Sequence, residues 1–262
     1  MMEHKTSLCS KSVGSGEVIL MIHGIMSDHE NFNRIQEILG KEFETIIYNR
    51  RGYGIEYDSQ FQDYSVGKQA EDAVAVLKQY TDNPVYIIGD SIGGNIAIQI
   101  AILFPKLVKG VFLVETTIPC DGLDLSCLRI WQDGVRKIAE SKDFYKILPL
   151  FAKVTGSKPI TQGSRLKNIK RSIYNIRNYV CGEMNAIMDY AVSRNDVNLI
   201  RCPVIMGISS EGKNLPFGIG ARKTANFFGW RIVYLLGHHN TIQEFPYDFS
   251  CKVKESLNAL NK

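Results

Sequence analysis

The sequence predicts an α/β fold: a mostly parallel open sheet flanked by helices and interrupted once by a helical insertion. Three observations carry this. Short apolar runs at Val18–Ile22, Thr45–Tyr48 and Val85–Ile88, and the stretch Val108–Val114, read as strands buried on both faces of a parallel sheet. Helical-period segments separate them at short intervals, as crossover connections require. Between Pro119 and Arg201 no such apolar run occurs, and only helical patterns remain.

Taken in order, Ser7–Ser12 alternates weakly and suits an edge strand, turned by Val13-Gly14-Ser15-Gly16. Val18–Ile22 ends in the loop His23-Gly24-Ile25-Met26, after which Phe32, Ile35, Ile38 and Leu39 recur at helical spacing. Thr45–Tyr48 runs into the glycine-punctuated turn Asn49-Arg50-Arg51-Gly52-Tyr53-Gly54. A helix over Val66–Tyr80 carries Ala70, Ala73, Val74 and Leu77 on one face, and Asn83-Pro84 ends it. Ile92–Phe104 is apolar almost all round, as befits a helix clamped between layers, and Pro105 stops it. The insertion shows helical patterns at Leu128–Ile138, Phe144–Val154 and Asn168–Tyr190, split by Gly156-Ser157-Lys158-Pro159. The alternation then resumes with a strand at Pro203–Met206, a helix at Ala221–Phe228, a strand at Arg231–Leu236 and a closing helix at Phe249–Leu260. The division expected is a core of residues 1–118 and 202–262 with a helical cap at 119–201.

Composition narrows the function classes. At 262 residues and 45% hydrophobic, the chain is long enough for one large core. A net charge of +4 argues neither for nucleic acid nor for an anionic membrane. The insertion holds 14 Lys/Arg against 8 Asp/Glu, a bias that suits a solvated basic outer face and permits an anionic substrate. Its basic residues are not interleaved with stacking aromatics, so no nucleic-acid partner is expected. No run approaches the ~20 apolar residues of a membrane span, and the N-terminus lacks a signal core, so a cytoplasmic protein is expected. The six cysteines are scattered without a C-x-x-C pair, so no metal or cofactor is expected.

The chemistry centres on Gly89-Asp90-Ser91-Ile92-Gly93, set between a buried strand and a helix. Such a strand–turn–helix holds its serine at the apex of a sharp turn, exposed at the carboxyl edge of the sheet. His23, Arg51 and Glu115 also lie just past strand ends and therefore share that edge, where open α/β sheets place their sites. A serine hydroxyl needs an adjacent general base. Of five histidines, only His238 and His239 follow the last strand. Asp90 either caps turn N–H groups or, if it lies beside the base, raises that base's pKa.

The motifs His23-Gly24, Arg51-Gly52-x-Gly54, Gly89-x-Ser91-x-Gly93-Gly94, Cys202-Pro203 and Gly237-His238-His239, with Glu244 and Pro246 behind, resemble those of the α/β-hydrolase superfamily, specifically small serine hydrolases with a helical cap. The resemblance runs from about residue 18 to 260. It implies Ser91 as nucleophile and His239 as base, because the interval back from Pro246 matches the family's when counted from His239. It implies backbone N–H groups of Ile25 and Ile92 as the oxyanion hole, each donor of this kind lowering a barrier by ~2.7–4 kcal/mol. His23 resembles the family's loop-anchoring histidine. At the position of the family's usual aspartate stands Ser210, so the orienting acid is expected to be its neighbour Glu211, with Glu115 as the alternative. The implied activity is hydrolysis of a carboxylic ester or related acyl bond of a small molecule. The missing aspartate also motivates a second reading, a ligand-binding or signalling protein on the same fold with a weak site. Substrate and oligomeric state are not legible here.

Overall fold

A computed structural model of the chain describes residues 8–54, 62–157 and 166–260. Ser7 of the expected edge strand, and Lys158 and Pro159 of the expected helix break, lie outside the described residues. Seven strands are present among the described residues: β1 (Ser10–Val13), β2 (Val18–Ile22), β3 (Glu44–Tyr48), β4 (Val85–Asp90), β5 (Val108–Val114), β6 (Val204–Ser209) and β7 (Arg231–Leu235). They form one sheet in the order β1-β3-β2-β4-β5-β6-β7. β1 lies antiparallel to β3 at the edge, and all other neighbours are parallel. The strand order reverses between β2 and β4, and the crevice that opens at such a reversal is where this architecture binds ligands.

The helices are α1 (Asn33–Leu39), α2 (Val66–Leu77), α3 (Ile92–Leu103), α4 (Arg129–Ser141), α5 (Ile147–Thr155), α6 (Leu166–Asn178), α7 (Met184–Met188), α8 (Arg194–Val197), α9 (Pro216–Phe228), α10 (Thr241–Glu244) and α11 (Pro246–Asn258). Alternate strand residues serve opposite faces of the sheet. Leu20, Ile22, Ile87, Leu113 and Met206 pack with residues of α2, α3 and α9. Ile19, Met21, Tyr86, Phe112 and Ile205 pack with residues of α1 and α11. Each such Ile or Leu, fully withdrawn from water, stabilises the fold by roughly 1.5–3 kcal/mol. Local signals set the helix ends. The Ser65 hydroxyl accepts from the Lys68 N–H at 3.2 Å to start α2. Pro216 and Pro246 open α9 and α11, and Gly229 closes α9 at φ 72°.

Between β5 and β6 the regular elements of the described residues are helices, with one isolated parallel bridge between Cys120 and Val192. One long expected helix is divided: α6 passes into a π-helical turn, Tyr179–Glu183, and then α7. This segment gathers a third apolar cluster around Trp131, Val135, Ile147, Val154, Tyr179 and Met184. That cluster includes Phe217 of α9 and packs against Ile25 and Met26 of the loop after β2. The described cations Arg136 and Lys146 sit on the exposed surface, paired with Asp133 and Asp143. Among the described residues no helix is long and apolar enough to cross a membrane.

Candidate active site

β4 delivers Ser91 in a conformation that L-residues avoid, φ 52° and ψ −118°. The flanking glycines are required by close approach. A Cβ on Gly93 would collide with the Ile22 carbonyl, and one on Gly94 with the Thr116 side chain. The turn is tied to the neighbouring strand: the Ser91 N–H donates to the Val114 carbonyl at 2.8 Å. The Thr116 hydroxyl in turn donates to the Ser91 carbonyl at 2.9 Å. Thr116 had no signal in the sequence, because its role exists only once β5 lies beside β4.

Just past β5, Glu115 also takes a left-handed conformation, φ 42°. Its carboxylate is buried and accepts from His239 Nδ1 at 2.6 Å. The other carboxylate oxygen accepts from the Ser209 N–H at 2.9 Å and from the Ser209 hydroxyl. With Nδ1–H committed to Glu115, the lone pair of His239 is left on Nε2. Burial works against the charged form of both groups, but their mutual hydrogen bond and attraction win. Glu115 is held below the usual carboxylate range, with Ser209 contributing, and His239 is raised above the ordinary imidazole value.

The carboxylate that the structure brings to His239 is Glu115, the alternative, and not Glu211. Glu211 is 58% exposed, and its carboxylate lies 3.4 Å from Nε2 of His238, not beside His239. The Glu211 N–H is held by the Gly237 carbonyl at 3.0 Å. Ser210 is held in the same way by Leu235 at 2.7 Å. Of the two adjacent histidines, His239 is buried, while His238 stands at the surface between Glu211 and Glu244. The Glu244 carboxylate accepts the His238 N–H at 3.1 Å and so braces the loop.

Of the two alternatives for Asp90, the structure brings out its charge coupling to His239. Asp90 accepts the Gly24 N–H, and its charge raises the pKa of His239. Burial pushes its own pKa up to about 6, with Glu115 contributing and His239 opposing. His23 anchors the loop as expected. Its Nε2 accepts the Arg50 N–H at 3.0 Å, so Nδ1 carries the hydrogen and donates to the Gly24 carbonyl at 2.8 Å. Burial and the Arg50 charge hold it neutral, with a pKa well below the ordinary value. Ile25 follows in this loop, which Met26 turns at φ 57°, and Ile92 is the first residue of α3. Arg51 reaches away from this edge, into an ion pair with Asp72 of α2 at 2.6 Å.

The surroundings of His239 are aromatic. Phe151 and Phe217 stand 5.5 and 5.2 Å from its ring, and Trp131 packs on both of them. Such an environment excludes water and strengthens the Glu115–His239 attraction. Among the described residues no group of three or more His, Cys, Asp or Glu is arranged to hold a metal ion.

Known proteins share this frame. An uncharacterised protein of Mycobacterium tuberculosis is 37% identical over 102 residues, 39% of this chain and 30% of that protein. The chain thus matches under a third of that relative's length. Est816, described as an N-acyl homoserine lactone degrading enzyme, superposes with a TM-score of 0.75 at 16% identity, covering 95% of this chain and 96% of that one. A thermophilic esterase from Thermogutta terrifontis gives 0.73 at 15% identity, covering 97% and 94%. At that identity the likeness speaks to the fold. A family profile described as the alpha/beta hydrolase fold matches residues 17–192, about two thirds of the sequence, and the chain belongs to that family.

Proposed function

We propose that the protein is a serine hydrolase that cleaves a carboxylic ester or related acyl bond, such as a lactone, through an acyl-enzyme. The observation that carries this is the buried Glu115–His239 pair at 2.6 Å, on the sheet edge where Ser91 is held in a strained turn. In this reading His239 Nε2 takes the Ser91 proton as Oγ attacks the acyl carbon. Glu115 stabilises the imidazolium that forms. The Ile25 and Ile92 N–H groups hold the developing oxyanion. His239 then protonates the leaving alcohol. It next deprotonates a water that attacks the acyl-enzyme, releasing the acid and restoring Ser91.

The aromatic neighbours Phe151, Phe217 and Trp131 favour an uncharged substrate over an anionic one, because a charge placed among them is desolvated without a partner. The described helices between β5 and β6 serve as the cap that selects it. Structural neighbours described as an esterase and as an enzyme degrading N-acyl homoserine lactones make esters and lactones the first compounds to test.

The non-catalytic alternative was motivated by Ser210 standing where an aspartate was expected, and Glu115 offers a carboxylate from a different strand. A fluorophosphonate probe separates the two readings. Rapid labelling that disappears in Ser91→Ala is expected; a folded wild-type protein that stays unlabelled refutes the hydrolase. A panel of neutral and anionic acyl esters, graded by chain length, then tests the preference for uncharged substrates.

A further inference from the structure

Arg50 is a guanidinium only 1% exposed, at the turn after β3, and the candidate catalytic groups do not require it. Its Nη2 donates to the Gly24 carbonyl at 2.9 Å. Its Nη1 donates to Gln69 at 2.6 Å, and both terminal nitrogens reach the carboxylate of Glu183. Glu183 is fully buried and lies 133 residues away in sequence, on the π-helical turn of the segment between β5 and β6. It also accepts from the Tyr53 hydroxyl and from Gln69 Nε2 at 2.9 Å. The chain interrupts its helix with a π turn at the point where this carboxylate enters the core, and such turns concentrate at functional places.

We propose that Arg50 and Glu183 are positioning residues for the oxyanion loop, by which the helical segment orients the peptide between Gly24 and Ile25. The proposal rests on the reading of the Ile25 N–H as an oxyanion donor. A peptide group is planar and trans, so its N–H points opposite to its carbonyl. The Gly24 carbonyl receives two donors, Nδ1–H of His23 and Nη2–H of Arg50. Held from that side, the same peptide presents the Ile25 N–H in the opposite direction. Two donors on the carbonyl also polarise the amide and strengthen its N–H as a donor. His23 is braced by the Arg50 N–H of the turn after β3, and the Arg50 side chain by Glu183, so both donors are in place with the helical segment seated on the core.

A merely structural ion pair would leave a different signature. A buried pair contributes little net stability beyond that of an apolar pair of similar volume. The double variant Arg50→Met/Glu183→Leu therefore keeps the packing while removing the hydrogen bond to the Gly24 carbonyl. In the folded double variant, kcat for an activated ester is expected to fall by about 10- to 100-fold, with KM within about twofold of wild type. The Ile25 amide resonance is expected to move and its hydrogen exchange to quicken. A folded double variant with wild-type kcat and an unmoved Ile25 amide overturns the proposal. If that variant does not fold, Glu183→Gln carries the test: a several-fold loss of kcat at unchanged KM supports the proposal, and unchanged kcat overturns it. If the wild-type protein neither turns over esters nor labels with fluorophosphonate, the hydrolase reading fails by itself. The Ile25 amide in the same variants then decides whether Arg50 orients the peptide.

Discussion

Replacing Glu115 by glutamine removes one charge and almost no volume, and it tests the arrangement around His239 most directly. The Glu115 carboxylate lies 2.6 Å from His239 Nδ1, which puts the two centres of charge about 4 Å apart when the imidazole is protonated. With an effective dielectric constant of about 20, their attraction is about 4 kcal/mol. In the active form of the enzyme His239 is neutral and the imidazolium forms as Ser91 loses its proton, so this attraction lowers the barrier and not the ground state of that form. Its removal is worth about 10³-fold in kcat. A glutamine that turns its NH₂ toward Nδ1 would also favour the wrong tautomer, which deepens the loss. The amide oxygen can still accept from Ser209, so the fold is retained. The assay is turnover of a p-nitrophenyl ester together with the rate of fluorophosphonate labelling, with Glu211→Gln as the control. Glu211 is 58% exposed and faces His238, so that control should stay within about twofold of wild type. A loss below tenfold in Glu115→Gln, or a loss of about 10² in Glu211→Gln, refutes the assignment.

Two further variants follow from the same geometry. The base works in its neutral form, so activity falls as pH drops through the pKa of His239, which Glu115 and Asp90 hold above the ordinary value. Asp90→Asn removes one of those charges and should move the acidic limb of the kcat/KM profile to lower pH; an unmoved limb refutes the coupling. The same variant has a stability signature, because burial raises Asp90 from 3.8 to about 6. An acid raised on folding lowers native stability as pH rises from the unfolded value through the folded one, here by about 3 kcal/mol in full. Asp90→Asn should therefore raise Tm at pH 8 but not at pH 4, and equal Tm shifts at both would disprove it. Gly93→Ala drives a Cβ into the Ile22 carbonyl and should cost about 1–3 kcal/mol or more, along with probe labelling. A variant with wild-type Tm and labelling rate refutes the close-packing account of the elbow.

Much of the architecture is legible in the chain because it rests on local periodicity. The stretches Val18–Ile22 and Val108–Val114 are strands over those same residues, since a buried parallel strand is apolar at nearly every position, Lys109 at the exposed start of β5 being the exception. Segment ends were harder to place. The helix expected from Ala221 begins at Pro216, because Gly218 and Gly220 hide its periodicity while Pro216 occupies the first turn. The π turn at Tyr179–Glu183 has no local signature, since Glu183 is drawn inward by Arg50, a partner 133 residues away.

Within the site, the position of Ser91 could be read from its own neighbours, because glycine spacing between a strand and a helix specifies a turn by local sterics. His239 could be preferred over His238 by its interval to Pro246. The acid could not be chosen this way. Glu115 and Glu211 each follow a strand end, and the chain alone ranked the nearer neighbour of Ser210 first. Only the lateral order β5-β6-β7 brings Glu115 across to His239, with Ser209 of the intervening strand donating to its carboxylate. Local pattern determined which residues reach the carboxyl edge. Pairing between strands distant in sequence decided which of them meet there, because hydrogen-bond register, unlike periodicity, is a property of two segments at once.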